Sequence, residues 1–208
     1  MSSGIDPHTR WTELSSGHGG AAAYQKLFDD LEESGVDIHG EARFVASLAM
    51  PPARILDAGC GTGRVAIELT RLGYRCVGVD SDLDMIEVAR ERGPGAHFVH
   101  QDITELYLRS QAFDITVLAG NVVPLLAPGK LNQALERLAA HVQPEGLLVA
   151  GFGLDAEHVP PNVPVTTLAT YDRACTAAGL SLAHRYASWD RERFTPKSRY
   201  AVSVHRRG

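Results

Sequence analysis

Residues 55–63 read Ile-Leu-Asp-Ala-Gly-Cys-Gly-Thr-Gly: a short apolar run, an acid, and glycines at 59, 61 and 63. Glycine has no Cβ, so it turns the chain tightly and lets a ligand lie against the backbone. The next stretch, Arg64 to Leu72, places Val65, Leu69 and Leu72 at helical spacing, so the glycines join a strand to a helix N-terminus. Such a corner, in an open α/β sheet, binds phosphates or nucleosides.

Outward from this corner the chain alternates. Upstream, Ala21 to Ser34 puts Tyr24, Leu27, Phe28 and Leu31 on one helical face, with Gly35 as its stop, and a second helix over Gly40 to Ala49 ends at Pro51-Pro52. Downstream, strands are expected at Arg54–Asp57, Cys76–Asp80, Ala96–His100, Phe113–Ala119 and Leu147–Phe152. Helices are expected at Arg64–Leu72, from Ser81 or Asp82 to Arg92, and at Lys130–Val142, where Leu131, Leu135 and Leu138 face inward. Strands alternating with helices imply right-handed crossovers and a parallel sheet covered on both faces. After Pro160, Pro161 and Pro164 and a helix near Thr167–Ala178, the pattern changes. Ser181–Trp189 and Arg199–Arg206 read as two strands with no helix between them, hence an antiparallel hairpin at one sheet edge.

Three acids fall at successive strand ends. Asp80 closes the second strand, 19 residues beyond Gly61, where a carboxylate can accept from both ribose hydroxyls or can cap the next helix. Asp102 follows the third strand and can meet a base or cap a turn. Asp57 lies under the glycine turn, placed to receive backbone N–H groups or orient a ligand amine. Gly61-Thr62-Gly63-Arg64-Val65-Ala66 also fits the dinucleotide fingerprint G-x-G-x-x-A. The upstream Asp57 and Gly59, and the absence of a hydride-transfer pair in the C-terminal part, weigh against a nicotinamide oxidoreductase.

With Ile55–Gly63, Val77–Asp80 and Asp102-Ile103 in place, the chain resembles the class I S-adenosylmethionine-dependent methyltransferases, from about Ala21 to Phe152. The resemblance implies an α/β, doubly wound, seven-stranded Rossmann-like sheet, order 3-2-1-4-5-7-6 with strand 7 antiparallel. It implies S-adenosyl-L-methionine as cofactor. Gly59, Gly61 and Gly63 would pass the methionine part and ribose, with Ala58 and Cys60 between and before them. Asp80, with Ser81 beside it, would hold the ribose hydroxyls, and Asp102 with the Ile103 amide would read the adenine edge. Met85 would pack on the adenine or simply on the helix core. Ala119, Gly120 and Asn121 would lie by the methionine amino group and donor methyl, and Tyr24 would close over the site. Arg64 would approach the cofactor carboxylate or stand as a helix-face cation. The expected organisation is one domain over 1–208, with 1–50 as a helical cap and 51–208 as core.

Composition narrows the partners. A formal charge of −5 argues against a nucleic-acid binder, and no apolar run reaches the length of a membrane span. Three scattered cysteines and an N-terminus without a charged-then-apolar pattern point to the cytoplasm. The fourth strand ends Ala-Gly-Asn-Val-Val-Pro, not the Asn/Asp-Pro-Pro-Tyr/Phe of enzymes that methylate nucleic-acid or protein amides. A small-molecule acceptor is therefore expected, with no metal. Its pocket is expected from Trp11, His18 and Tyr24, the Asn121–Leu126 loop and the Gly153–Pro164 loop. His18, in a glycine-flanked loop, is the first candidate base, and His158 the second. Trp189 either stacks on the acceptor or covers the sheet edge, and Arg191, Arg193, Arg206 and Arg207 form a solvated end. A non-catalytic binder of S-adenosylmethionine or S-adenosylhomocysteine is the rival from another class.

Overall fold

The computed structural model describes residues 20–109 and 112–208. Seven strands form one sheet: β1 Arg54–Ala58, β2 Arg75–Asp80, β3 His97–His100, β4 Phe113–Leu118, β5 Val142–Gly153, β6 Leu180–Tyr186 and β7 Tyr200–Arg207. Their order is β3-β2-β1-β4-β5-β7-β6. β1 to β5 pair in parallel, and β7 runs antiparallel to both β5 and β6. The helices are α1 Gly20–Glu33, α2 Gly40–Ala46, α3 Arg64–Arg71, α4 Leu83–Arg92, α5 Val122–Leu125, α6 Leu131–His141 and α7 Leu168–Ala177. A 3-10 turn covers Ile103–Glu105.

The central strands of the sheet are buried on both faces, as helices flanking a parallel sheet require, whereas the edge strand β6 is largely exposed. One apolar cluster joins Leu56, Ala58, Val79 and Leu118 to α6 and α7. The other joins Ile55, Ile115, Val117 and Val149 to α2, α3 and α4. Neighbouring residues of β1 thus point into opposite cores, the period-two alternation of a strand.

The C-terminal hairpin takes the expected places, with β7 between β5 and β6 and β6 at the sheet edge. Ala201 through His205 are all buried. Two sequence expectations need correction. Leu27 is 55% exposed and leaves the inward face of α1 to Tyr24, Phe28 and Leu31. β5 begins at Val142, five residues before the apolar run, because that residue pairs with Phe113. Of the two capping options for α4, Asp82 is the N-cap, accepting from the amides of Asp84 and Met85.

Candidate functional site

The site lies at the C-terminal ends of the strands, beside the glycine turn. Gly59 and Cys60 donate their amides to the Val79 carbonyl at 2.8 and 3.0 Å, binding the turn to the end of β2. Gly59, Gly61 and Gly63 all have positive φ, a region L side chains avoid. A Cβ on Gly59 would stand 2.6 Å from a Val122 methyl, and one on Gly63 2.8 Å from the Phe98 ring. Gly63 is therefore required for packing α3 against β3 and α4, whereas Gly59 lets the first residue of α5 close on the turn.

Two further acids hold the backbone around this corner through hydrogen bonds from main-chain amides. Asp80 Oδ2 accepts from the Gly61 amide at 2.8 Å, and Oδ1 accepts from the Asp82 amide at 3.0 Å. Burial raises its pKa even though those bonds oppose the shift. Asp102 Oδ1 accepts from the Thr104 amide at 2.7 Å and so caps the 3-10 turn. Neither carboxylate is consumed by its backbone bonds, since each can accept more than one hydrogen. Both line the same cleft.

The cleft has an empty volume of about 870 Å³. Gly59, Gly61, Asp80 and Ser81 line it along the turn and the end of β2, Met85 from α4, and Asp102 and Ile103 from the 3-10 turn after β3. Ala119 and Gly120 come from the end of β4, and Tyr24 from α1. The Tyr24 ring is 3.6 Å from where a Gly61 Cβ would lie, and burial raises the pKa of its hydroxyl. The remaining wall is apolar: Val122, Leu125, Leu126 and Pro160.

Ten of the sequence candidates thus meet in one cleft, and others stand elsewhere. Asp57 is 1% exposed beneath the turn, and its Oδ2 accepts from the Ala66 amide at 3.1 Å. It supplies the capping acceptor that Gly63, the N-cap of α3, lacks. Ala58 is buried in β1. Cys60 faces Gly78, 3.0 Å from where its Cβ would be, and burial pushes its thiol pKa well above the ordinary value, so no nucleophilic thiolate forms there. Asn121 turns away from the cleft: Oδ1 accepts from the Gly153 amide at 2.7 Å, and Nδ2 donates to the His158 carbonyl at 3.1 Å. Its backbone is left-handed, with φ 68°.

Arg64, the first residue of α3, is a cation engaged by other elements. Its guanidinium pairs with both carboxylate oxygens of Glu41 at 2.9 and 2.7 Å, donates to the Ile38 carbonyl, and lies 4.7 Å from the Phe28 ring centre. Trp189 packs edge-on against Phe44 and covers Gly151 on the sheet face, away from the cleft. Arg191 lies over the Phe44 ring and donates to Ser47, so it is exposed but engaged. His158 Nδ1 is 2.7 Å from Asp155 Oδ1 on the exposed side of its loop. Asp155, Glu157 and His158 are one group among the described residues whose ligand atoms come within 4.8 Å. Arg199 pairs with both acids there. Trp11 and His18 lie outside the described residues. No helix among the described residues is long and apolar enough to cross a membrane.

The sequence marks Val122, Leu125, Leu126 and Pro160 only as parts of the Asn121–Leu126 and Gly153–Pro164 loops. No local pattern marks them, since their role comes from α5 folding back over Gly59.

A family model described as a methyltransferase domain matches residues 55–146. A solved TehB-like SAM-dependent methyltransferase from Corynebacterium glutamicum superposes with a TM-score of 0.83 at 30% identity, covering 90% of this chain and 98% of that one. The chain belongs to the S-adenosylmethionine-dependent methyltransferase family. The family's cofactor is the one the resemblance implies, and the nicotinamide alternative falls away. Another methyltransferase structure, CcbJ from Streptomyces caelestis, has a TM-score of 0.70 at 25% identity over 81% of this chain and 94% of that one. A Streptomyces fradiae protein named as a dTDP-3-amino-3,6-dideoxy-alpha-D-glucopyranose N,N-dimethyltransferase is 33% identical over 129 residues, 60% of this chain and 51% of that protein. The chain spans about half the length of the curated methyltransferases it matches.

Proposed function

We propose that this methyltransferase moves a methyl group from S-adenosylmethionine to a small organic acceptor by in-line displacement. The observation that carries the reading is one cleft lined both by a glycine turn with Asp80 and Asp102 and by the apolar residues Val122, Leu125, Leu126 and Pro160. The residues fit the cofactor. The turn has no Cβ to obstruct a ligand, Asp80 can accept from vicinal ribose hydroxyls, and Asp102 with the Ile103 amide offers an acceptor and a donor to an adenine edge. Met85 gives a polarizable surface for the base. Ala119 and Gly120 leave room where the amino-acid part meets the donor methyl, and Tyr24 covers Gly61.

When bound, S-adenosylmethionine supplies an electrophilic methyl on a sulfonium. The chain's task is then to hold acceptor and donor in line and to exclude water, which is worth much of the barrier. The apolar wall suits an uncharged acceptor face, because a charge placed there would lose its hydration without a partner. Two of the matched relatives are named for small-molecule acceptors, an amino-sugar nucleotide and a demethylmenaquinone, which supports a small acceptor. In this reading the chain is one methyltransferase domain with 1–50 as a cap over the core 51–208, working in the cytoplasm.

Calorimetric titration with S-adenosylhomocysteine tests the assignment. Asp80→Asn keeps an acceptor for the Gly61 amide but loses charge-assisted bonds to the ribose, about 1.5–3 kcal/mol each. The expected result is a loss of affinity of at least tenfold. Unchanged affinity removes Asp80 from the ribose.

A further inference from the structure

Asn121 sits where the donor methyl is expected, yet its side chain points to the other side of the cleft wall. Its amide spans both ends of the turn at 153–158, accepting from the Gly153 amide and donating to the His158 carbonyl. The turn is drawn tight at the same place: a Cβ on Gly153 would collide with the His158 carbonyl. Two residues further on, Pro160 enters the cleft, and the Pro160 carbonyl accepts from the Val163 amide at 3.1 Å. The outer side of the turn is braced separately, by Asp155 with His158 and by Arg199 with Glu157. The inner side meets the catalytic end of β4 through Asn121.

We infer that Asn121 is a positioning residue that latches the 153–160 segment to the end of β4 and thereby sets the acceptor wall relative to the donor methyl. This rests on the methyltransferase reading of the cleft. The chemistry suits the role. An amide carries a separate acceptor and donor on one short side chain, so it can bridge a backbone N–H and a backbone carbonyl, and asparagine tolerates the left-handed backbone better than most L residues. Asn121 and Val122 are adjacent, so one short segment carries both the latch and the first residue of the acceptor wall. The wall's two halves, α5 and Pro160, are far apart in sequence, and the latch joins them.

The test uses the full chain with S-adenosylhomocysteine or S-adenosylmethionine as donor-site probe. Thiophenol serves as acceptor probe, an apolar thiol that ionises near neutral pH and needs no enzyme base. Asn121→Gly removes the amide while suiting the positive φ, and Gly153→Ala breaks the same closure from the other side. Each is expected to leave S-adenosylhomocysteine affinity within about twofold. Each is expected to raise the thiophenol KM at least tenfold with a smaller change in kcat, and to speed amide exchange across 153–160 but not across β4. Asn121→Asp, which still accepts from Gly153, recovers part of the loss. Unchanged loop exchange overturns the proposal, as does a fall in S-adenosylhomocysteine affinity with an unaltered thiophenol KM, which would put Asn121 on the donor side. If the native protein turns over no thiophenol, loop exchange alone decides. If the native protein binds no S-adenosylhomocysteine, the methyltransferase reading fails separately, while loop exchange still reports on the latch.

Discussion

Asp57 is a carboxylate with almost no water around it, held under the glycine turn by the Ala66 amide. Burial raises its pKa to about 7, against the opposing influence of Arg64 and the Ala66 bond. An acid whose folded pKa lies above its unfolded value of about 3.9 favours the folded state most at low pH. That contribution is fully present below about pH 4 and lost as the pH rises to about 7. Asp57→Asn keeps the acceptor for Ala66 and removes the charge, so its stability relative to the native protein should improve between pH 4 and pH 8 by at least about 1 kcal/mol. Denaturant unfolding at the two pH values measures this, and an equal difference at both would show that Asp57 is not held protonated. Of its two sequence readings, the structure selects the backbone acceptor. The position of Asp57 was legible from its place before the glycines, whereas its burial depended on helices folding over it.

Arg64 opens α3 but acts on other elements. Its guanidinium binds Glu41 at the start of α2, the Ile38 carbonyl before it, and the Phe28 ring on α1. Arg64 and Glu41 have side chains only 15% and 16% exposed, so the pair is shielded enough for loss of one partner to leave a costly charge. Glu41→Gln should destabilise the fold by about 1–3 kcal/mol, a figure reduced from a fully buried pair for the remaining exposure. Amide exchange should rise in α1 and α2 and stay unchanged in β4 and β5. A change below about 0.5 kcal/mol would mean that the tie is ornamental to stability. At this scale the sequence reading was good for elements with strong periodicity, such as α6 with Leu135 and Leu138 inward. It was poor for α5, whose four residues are too few to show a period.

For the whole molecule, the cleft unites the ends of β1, β2 and β4 with α1, α5 and Pro160, so ligand binding should stabilise all of them together. S-adenosylhomocysteine at a hundred times its Kd should add about 2.7 kcal/mol. For a chain of this size that raises Tm by about 5–10 °C. A thermal-shift measurement with S-adenosylhomocysteine and NAD in parallel checks it: a rise with NAD alone would assign the glycine turn to a dinucleotide. The sequence by itself determined the alternation of strands and helices, the acids at successive strand ends and, from these, the methyl donor. Those features are local: each strand end carries its own glycine or carboxylate within a few residues. Tertiary structure alone decided that Asn121 faces the loop and that Val122 and Pro160 share one wall. These depend on pairings between segments tens of residues apart, for which no local period exists, and they shape the space where the acceptor must fit.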